Sequence, residues 1–198
     1  FISRRARRIL PALFFVMLAC IPFAYWMMLP DPLENFGQSL VATTFFANNV
    51  LLWLTSGYWD VASEYKPLLH TWSLGVEEQF YILYPFLLLI VLRFSHRVSL
   101  LSLVGLAALS LLIMVLELNR DPTAAFYLLH ARAWQLLAGA LAALLYTRMT
   151  PQANTVLPGL SMILILIAIC PDKILNISML FRMILATSGT AIFLIWTN

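Results

Sequence analysis

Three short stretches of this chain hold side chains able to do chemistry. The densest is His70-Thr71-Trp72-Ser73-Leu74-Gly75-Val76-Glu77-Glu78-Gln79-Phe80-Tyr81, which sets an imidazole, two carboxylates, an amide, a phenol and an indole at one end of an apolar segment. Imidazole and carboxylate are the common acid and base groups of enzymes. At membrane depth such groups are expensive, and they line functional cavities more often than they pack. His70, Glu77 and Glu78 are therefore the candidate catalytic residues. The plainer reading is capping: Ser73 is placed to cap a helix start, and an acid just beyond it meets the positive end of the helix. Capping accounts for one acid and leaves the second acid and the imidazole unexplained. Adjacent residues project about 100° apart on a helix, so the two acids cannot both face one cavity squarely. Glu77 is preferred for the functional role because Tyr81 and Tyr84 share its face, whereas Glu78 shares a face with Ile82 and Pro85.

The second stretch is Arg4-Arg5-Ala6-Arg7-Arg8, directly before a long apolar run. Its plain meaning is a topology anchor at the membrane surface. Arg5 and Arg8 stand three apart, so on a helix they share a face and present two planar forks suited to phosphate oxygens. The third stretch is His130-Ala131-Arg132-Ala133-Trp134-Gln135, followed by a small pair at Gly139 and Ala143 whose spacing suits close helix packing. Arg132 keeps its charge, so it must snorkel to an interface or find a partner, and Glu77 and Glu78 are the partners on offer. His130 reads as a satisfied interface histidine. Arg5, Arg8, Arg132, Trp72 and Tyr81 make up the candidate substrate-binding set. No phosphate loop, nucleophile elbow or metal-ligand spacing occurs. Cys20 and Cys170 both lie inside apolar runs, which argues against a disulfide framework.

These groups sit on elements that must be membrane helices. Of 198 residues, 62% are hydrophobic and 11% charged, far too few charges to cover a soluble domain. The net charge of +3 is small and no basic stretch is long enough to track a nucleic acid. Apolar runs of spanning length cover residues 9–29, 72–92, 98–116, 124–146, 155–171 and 174–196, with Arg182 near the start of the last snorkelling to the interface. Residues 39–54 contain Thr43, Thr44, Asn48 and Asn49 and read either as a polar-faced span or as a re-entrant element. The distribution of basic loops mildly favours a span, the asparagines favour re-entry, and re-entry is preferred. The expected fold is thus all-α: a polytopic transmembrane bundle of six or seven segments forming one domain over residues 1–198. Phe1 at the start, and an apolar run reaching the last residues, suggest a piece of a longer protein cut at both ends.

Taken in order, Phe1-x-x-Arg4-Arg5-x-x-Arg8-Ile9-x-Pro11, Pro67-Leu68-Leu69-His70-Thr71-Trp72-Ser73-Leu74-x-Val76-Glu77-Glu78-Gln79-Phe80-Tyr81 and Arg132-Ala133-Trp134-x-Leu136-Leu137-Ala138-Gly139-Ala140 resemble the acyltransferase 3 family of bacterial membrane proteins. The resemblance implies a multi-pass enzyme of the bacterial inner membrane that moves an acyl group, commonly acetyl, from cytoplasmic acyl-CoA to a hydroxyl of an extracytoplasmic, cell-surface carbohydrate. It implies no bound cofactor, acyl-CoA being the donor substrate. Its partners would be the lipid bilayer, the donor and the carbohydrate acceptor. By the same resemblance Arg5 and Arg8 would hold the CoA phosphates, and Glu77 or Glu78 would lie in the transfer cavity. Relatives carry a histidine base on an earlier helix that these residues do not include, so this piece alone is expected to be inactive. Gln135 stands where many relatives have Glu. The competing classes are a polytopic transporter and a structural subunit of a polysaccharide-export system.

Overall fold

The computed structural model describes residues 2–55, 66–91, 93–146, 156–171, 175 and 177–196. Phe1 of the first motif and the expected span starts at residues 155 and 174 lie outside them. The described residues form only helices: α1 (Ile2–Met27), α2 (Pro30–Thr44), α3 (Asn48–Thr55), α4 (Thr71–Val91), α5 (His96–Arg120), α6 (Pro122–Tyr127), α7 (Leu129–Tyr146), α8 (Val156–Ile169) and α9 (Met179–Trp196). Five stretches are long and apolar enough to cross a membrane: Arg4–Met27, Thr71–Val91, His96–Arg120, Pro122–Tyr146 and Met179–Trp196. Val156–Ile169 is a shorter apolar helix. The protein is a polytopic, multi-pass helical bundle. The span expected over residues 124–146 is interrupted at Leu128, where the backbone is extended between α6 and α7.

The helices gather into two compact units, Phe1–Ile90 with Leu116–Arg132, and Val91–Val115 with Ala133–Asn198. In the first unit, Leu13, Met17 and Ala24 of α1 pack with Phe36 of α2 and with Leu68, ahead of α4. The doubtful segment is a helix broken between Thr44 and Asn48, and neither half is long enough to span. Phe46 at the break adopts φ 54°, a left-handed conformation that costs a non-glycine residue about 1–2 kcal/mol. A break at membrane depth persists only where protein groups satisfy the freed backbone. Here Gln79 of α4 donates to the Phe46 carbonyl at 3.0 Å and to Asn49 Oδ1 at 2.9 Å. Asn48 donates to Leu68 O at 3.0 Å and to Thr71 Oγ1 at 2.8 Å, and Asn49 donates to Tyr127 O at 3.1 Å. Gly75 faces this break so closely that a Cβ there would lie 2.9 Å from Phe46 O. The asparagines that suggested re-entry are thus the residues that stitch the broken helix to α4 and to the end of α6.

Asp121 starts α6 by accepting from the backbone of Thr123 and Ala124, both at 3.1 Å, and it takes a 2.8 Å hydrogen bond from Trp53 Nε1 of α3. The Thr123 hydroxyl, Trp53 and the Ala124 amide together hold its carboxyl down to about 2.

In the second unit, Ser110 and Met114 of α5 take hydrogen bonds from the backbone and the indole of Trp134. Helices α8 and α9 meet at Gly189, where an added Cβ would lie 3.0 Å from Ser161 O. Arg182 lies in the first turn of α9. Its guanidinium binds the carbonyls of Ala168, Cys170, Leu175 and Ile177, capping the C-terminal end of α8 and the link that follows.

Candidate active site

The first turns of α1 carry Arg5 and Arg8, and α4, with His70 just ahead of it, brings Glu77, Glu78 and Tyr81 to meet them. Leu13 of α1 and Leu74 of α4 belong to the same apolar cluster, while Arg5 lies against Glu78, so α1 and α4 run antiparallel here. This packing carries the carboxylates to the basic end of α1. Arg5 Nη2 lies 3.1 Å from Glu78 Oε1 and 3.8 Å from Glu77 Oε2. Its Cζ sits 3.6 Å from the centroid of the Tyr81 ring, a close cation–π contact. Beside the cluster is a cleft of about 450 Å³ whose polar lining includes Arg8, His70, Ser73 and Glu77, with Ile9, Leu13 and Val16 on its apolar side.

The two carboxylates differ in setting. Glu78 is 15% exposed and hydrogen-bonded to Arg5, whereas Glu77 is 46% exposed and opens onto the cleft. A carboxylate hydrogen-bonded to a guanidinium is held in place; one only grazed by it keeps lone pairs available to a third group. Neither acid caps a helix. The helix begins at Thr71, and its first turn contains no acid. Ser73 is likewise not the cap: its hydroxyl donates back to His70 O at 3.3 Å from inside the first turn, while Thr71 bonds Leu68 O at 2.8 Å.

Arg132 and Trp72 are brought together, away from this cluster. The Arg132 Cζ lies 4.6 Å from the Trp72 ring and 4.5 Å from the Phe126 ring, and its Nε donates to Phe126 O. Of the two placements open to Arg132, an interface or a carboxylate partner, the pairing with Glu77 or Glu78 is not formed. Its charge rests on two aromatic faces and a carbonyl, and the carboxylates have Arg5 instead. His130 is bonded to Glu117 at 2.6 Å. Glu117 is a partner that sequence reasoning missed, since nothing in the spacing of 13 residues across a helix break points to it. Gln79 was visible as one amide among the polar groups, but its role in holding the break at Phe46 was not. Among the described residues, no group of three or more His, Cys, Asp or Glu side chains is placed to hold a metal ion.

The family described as "Acyltransferase domain", acyltransferase 3, matches residues 1–198, the whole chain. The chain belongs to the acyltransferase 3 family. Relatives include an uncharacterized protein of Haemophilus influenzae, 28% identical over 178 residues that cover 83% of this chain and 72% of that one. The peptidoglycan O-acetyltransferase OatA of Listeria monocytogenes is 30% identical over 155 residues, 75% of this chain and 25% of its own length. The O-acetyltransferase OatA of Staphylococcus aureus is 29% identical over 151 residues, 74% of this chain and 24% of its own length. The chain thus spans about a quarter of the OatA proteins it matches. No solved structure matches it significantly.

Proposed function

We propose that this acyltransferase 3 domain transfers an acyl group, most simply acetyl, from acyl-CoA to a hydroxyl of a cell-surface carbohydrate on the far side of the bacterial inner membrane. Family membership and the relatives named as O-acetyltransferases support the reaction class. The observation that carries the assignment to residues is the cleft on which a cation, an imidazole and a loosely held carboxylate converge: Arg8, His70 and Glu77. In this reading the acceptor hydroxyl gives its proton to Glu77 or His70 as its oxygen attacks the thioester carbonyl. The C–S bond breaks, and the departing CoA thiolate takes up the proton, leaving an ester and free thiol. Arginine charge at the basic end of α1 offsets the donor phosphates. Trp72 and Arg132, stacked on one another, stand outside the lining of that cleft and take no step in this reading.

The transporter alternative drew on a discontinuous helix as a substrate pathway. The break between α2 and α3 is filled by the Gln79 side chain and lies against Gly75, which favours a structural role for it.

The test is transfer of label from radioactive acetyl-CoA to surface carbohydrate in membranes from cells expressing the complete gene. Glu77→Gln, at unchanged protein level, should abolish the transfer. Equal labelling by Glu77→Gln and wild type would remove Glu77 from the mechanism.

A further inference from the structure

Arg5 and Arg8 stand three residues apart on one face of α1, and spacing alone makes them a single phosphate-binding pair. Their surroundings differ. Arg8 is exposed, lines the cleft, and makes no hydrogen bond or ion pair among the described residues. Arg5 is engaged on three sides: by Glu78 at 3.1 Å, by Glu77 at 3.8 Å, and by the Tyr81 ring beneath its guanidinium at 3.6 Å. Turning Arg5 towards a ligand phosphate would strip Glu78, the more buried acid, of its cation, and leave two adjacent carboxylates facing each other without a positive charge between them.

We propose that the two arginines divide the work: Arg8 meets the anionic groups of the donor, while Arg5 is a positioning residue that clamps Glu78 and Tyr81 and so presents Glu77 to the cleft. The proposal rests on the acyl-CoA reading above and adds a separation that the reading does not require. Two geometric facts support it. The stack on Tyr81 uses the flat guanidinium face and Nη2 is taken by the carboxylates, whereas the Arg8 side chain is exposed on the cleft. Glu78 is held by its hydrogen bond to Arg5 and is not part of the cleft lining, which leaves Glu77 as the acid beside His70.

Steady-state kinetics in membranes separate the roles. Arg8→Ala should raise KM for acetyl-CoA by about tenfold, with turnover at saturating donor falling less than about twofold, as expected for lost ground-state binding. Arg5→Ala should do the reverse, lowering kcat by about tenfold or more at nearly unchanged donor KM. The double variant Arg5→Ala/Glu78→Gln should be no worse than its poorer single parent, because both changes break one unit. Arg8→Lys should retain most donor affinity, whereas Arg5→Lys should stay impaired, an ammonium being unable to stack on Tyr81 and bridge two carboxylates at once. Arg5→Lys also keeps the charge, which answers any folding failure of Arg5→Ala. Equal rises in KM for Arg5→Ala and Arg8→Ala with kcat intact would overturn the division, as would losses that multiply in the double variant. Failure of the underlying reading looks different: wild-type membranes would then transfer nothing from acetyl-CoA, and both would fall together.

Discussion

Gly75 offers the sharpest test of how α4 is held against the broken helix. Replacing it with alanine puts a methyl group 2.8 Å from Asn49 Oδ1 and 2.9 Å from Phe46 O, where ordinary contact begins at 3.4 Å. Both oxygens must therefore retreat by about half an ångström, and neither can do so freely. Phe46 O is main chain at a left-handed residue, and Asn49 is fully buried. Both also accept from Gln79 Nε2, so moving them stretches the bonds that hold the break. Overpacking of this kind costs about 1–3 kcal/mol, and weakening the amide bonds adds about 1 kcal/mol. Exchanging glycine for alanine in a helix returns about 1 kcal/mol. The net expectation is a loss of about 1–3 kcal/mol, or a Tm lowered by about 2–12 °C for a chain of this size. Gly105 of α5 is the control, because nothing lies within 4 Å of its added Cβ, and Gly105→Ala should be neutral or slightly stabilising. Both variants can be compared by heating detergent-solubilised protein and measuring the surviving monodisperse peak on fluorescence-detected size exclusion. Equal thermal stability of Gly75→Ala and Gly105→Ala would show that α4 does not press on the break.

Arg182→Met should destabilise the α8–α9 pair by about 2–3 kcal/mol, because four carbonyls lose a charged donor together, and Arg182→Lys should recover less than half in the same heating assay. The Asp121 carboxyl, held down to about 2 chiefly by Thr123 and then by Trp53, contributes stability that is complete above its ordinary value and is lost as pH falls through about 2. Thr123→Val should move that titration upward, as read from the carboxyl carbon of Asp121 by NMR, and an unmoved midpoint would refute the role given to the hydroxyl. With α2 and α3 re-entrant, a cysteine at Ser95, in a background lacking Cys20 and Cys170, should resist an impermeant thiol reagent in intact cells. External labelling at Ser95 would place the α4–α5 link outside.

What spacing along one helix determines was legible, and what contact between helices determines was not. Five of the six apolar runs located the candidate spanning helices to within about five residues, because the bilayer fixes both their length and their composition, while the run over 155–171 holds only the shorter helix Val156–Ile169. The polar residues at 43–49 marked a segment unable to cross as one continuous helix, because an amide at membrane depth must have a partner. The cap was placed two residues inside the helix. Ser73 is a good cap by type, but the turn over residues 67–70 already satisfies the chain through Thr71 and Leu68, and that closure depends on Asn48 of α3 and Thr43 of α2. The arginines are the instructive case. By sequence Arg132 needed either an interface or a partner, with Glu77 and Glu78 on offer, and nothing in the spacing pointed those acids to Arg5. Arg5 is 73 residues away from Glu78 in sequence, and only the antiparallel packing of Leu13 and Leu74 decides that it is the one within reach. Trp72 settles the other half of the choice. One residue into α4, it offers Arg132 an aromatic face together with Phe126, so a cation that cannot be neutralised finds its place without a carboxylate. Two cations and two acids thus sort into one ionic cluster and one aromatic one. The sorting leaves Glu77, the acid least engaged by either, beside the open cleft.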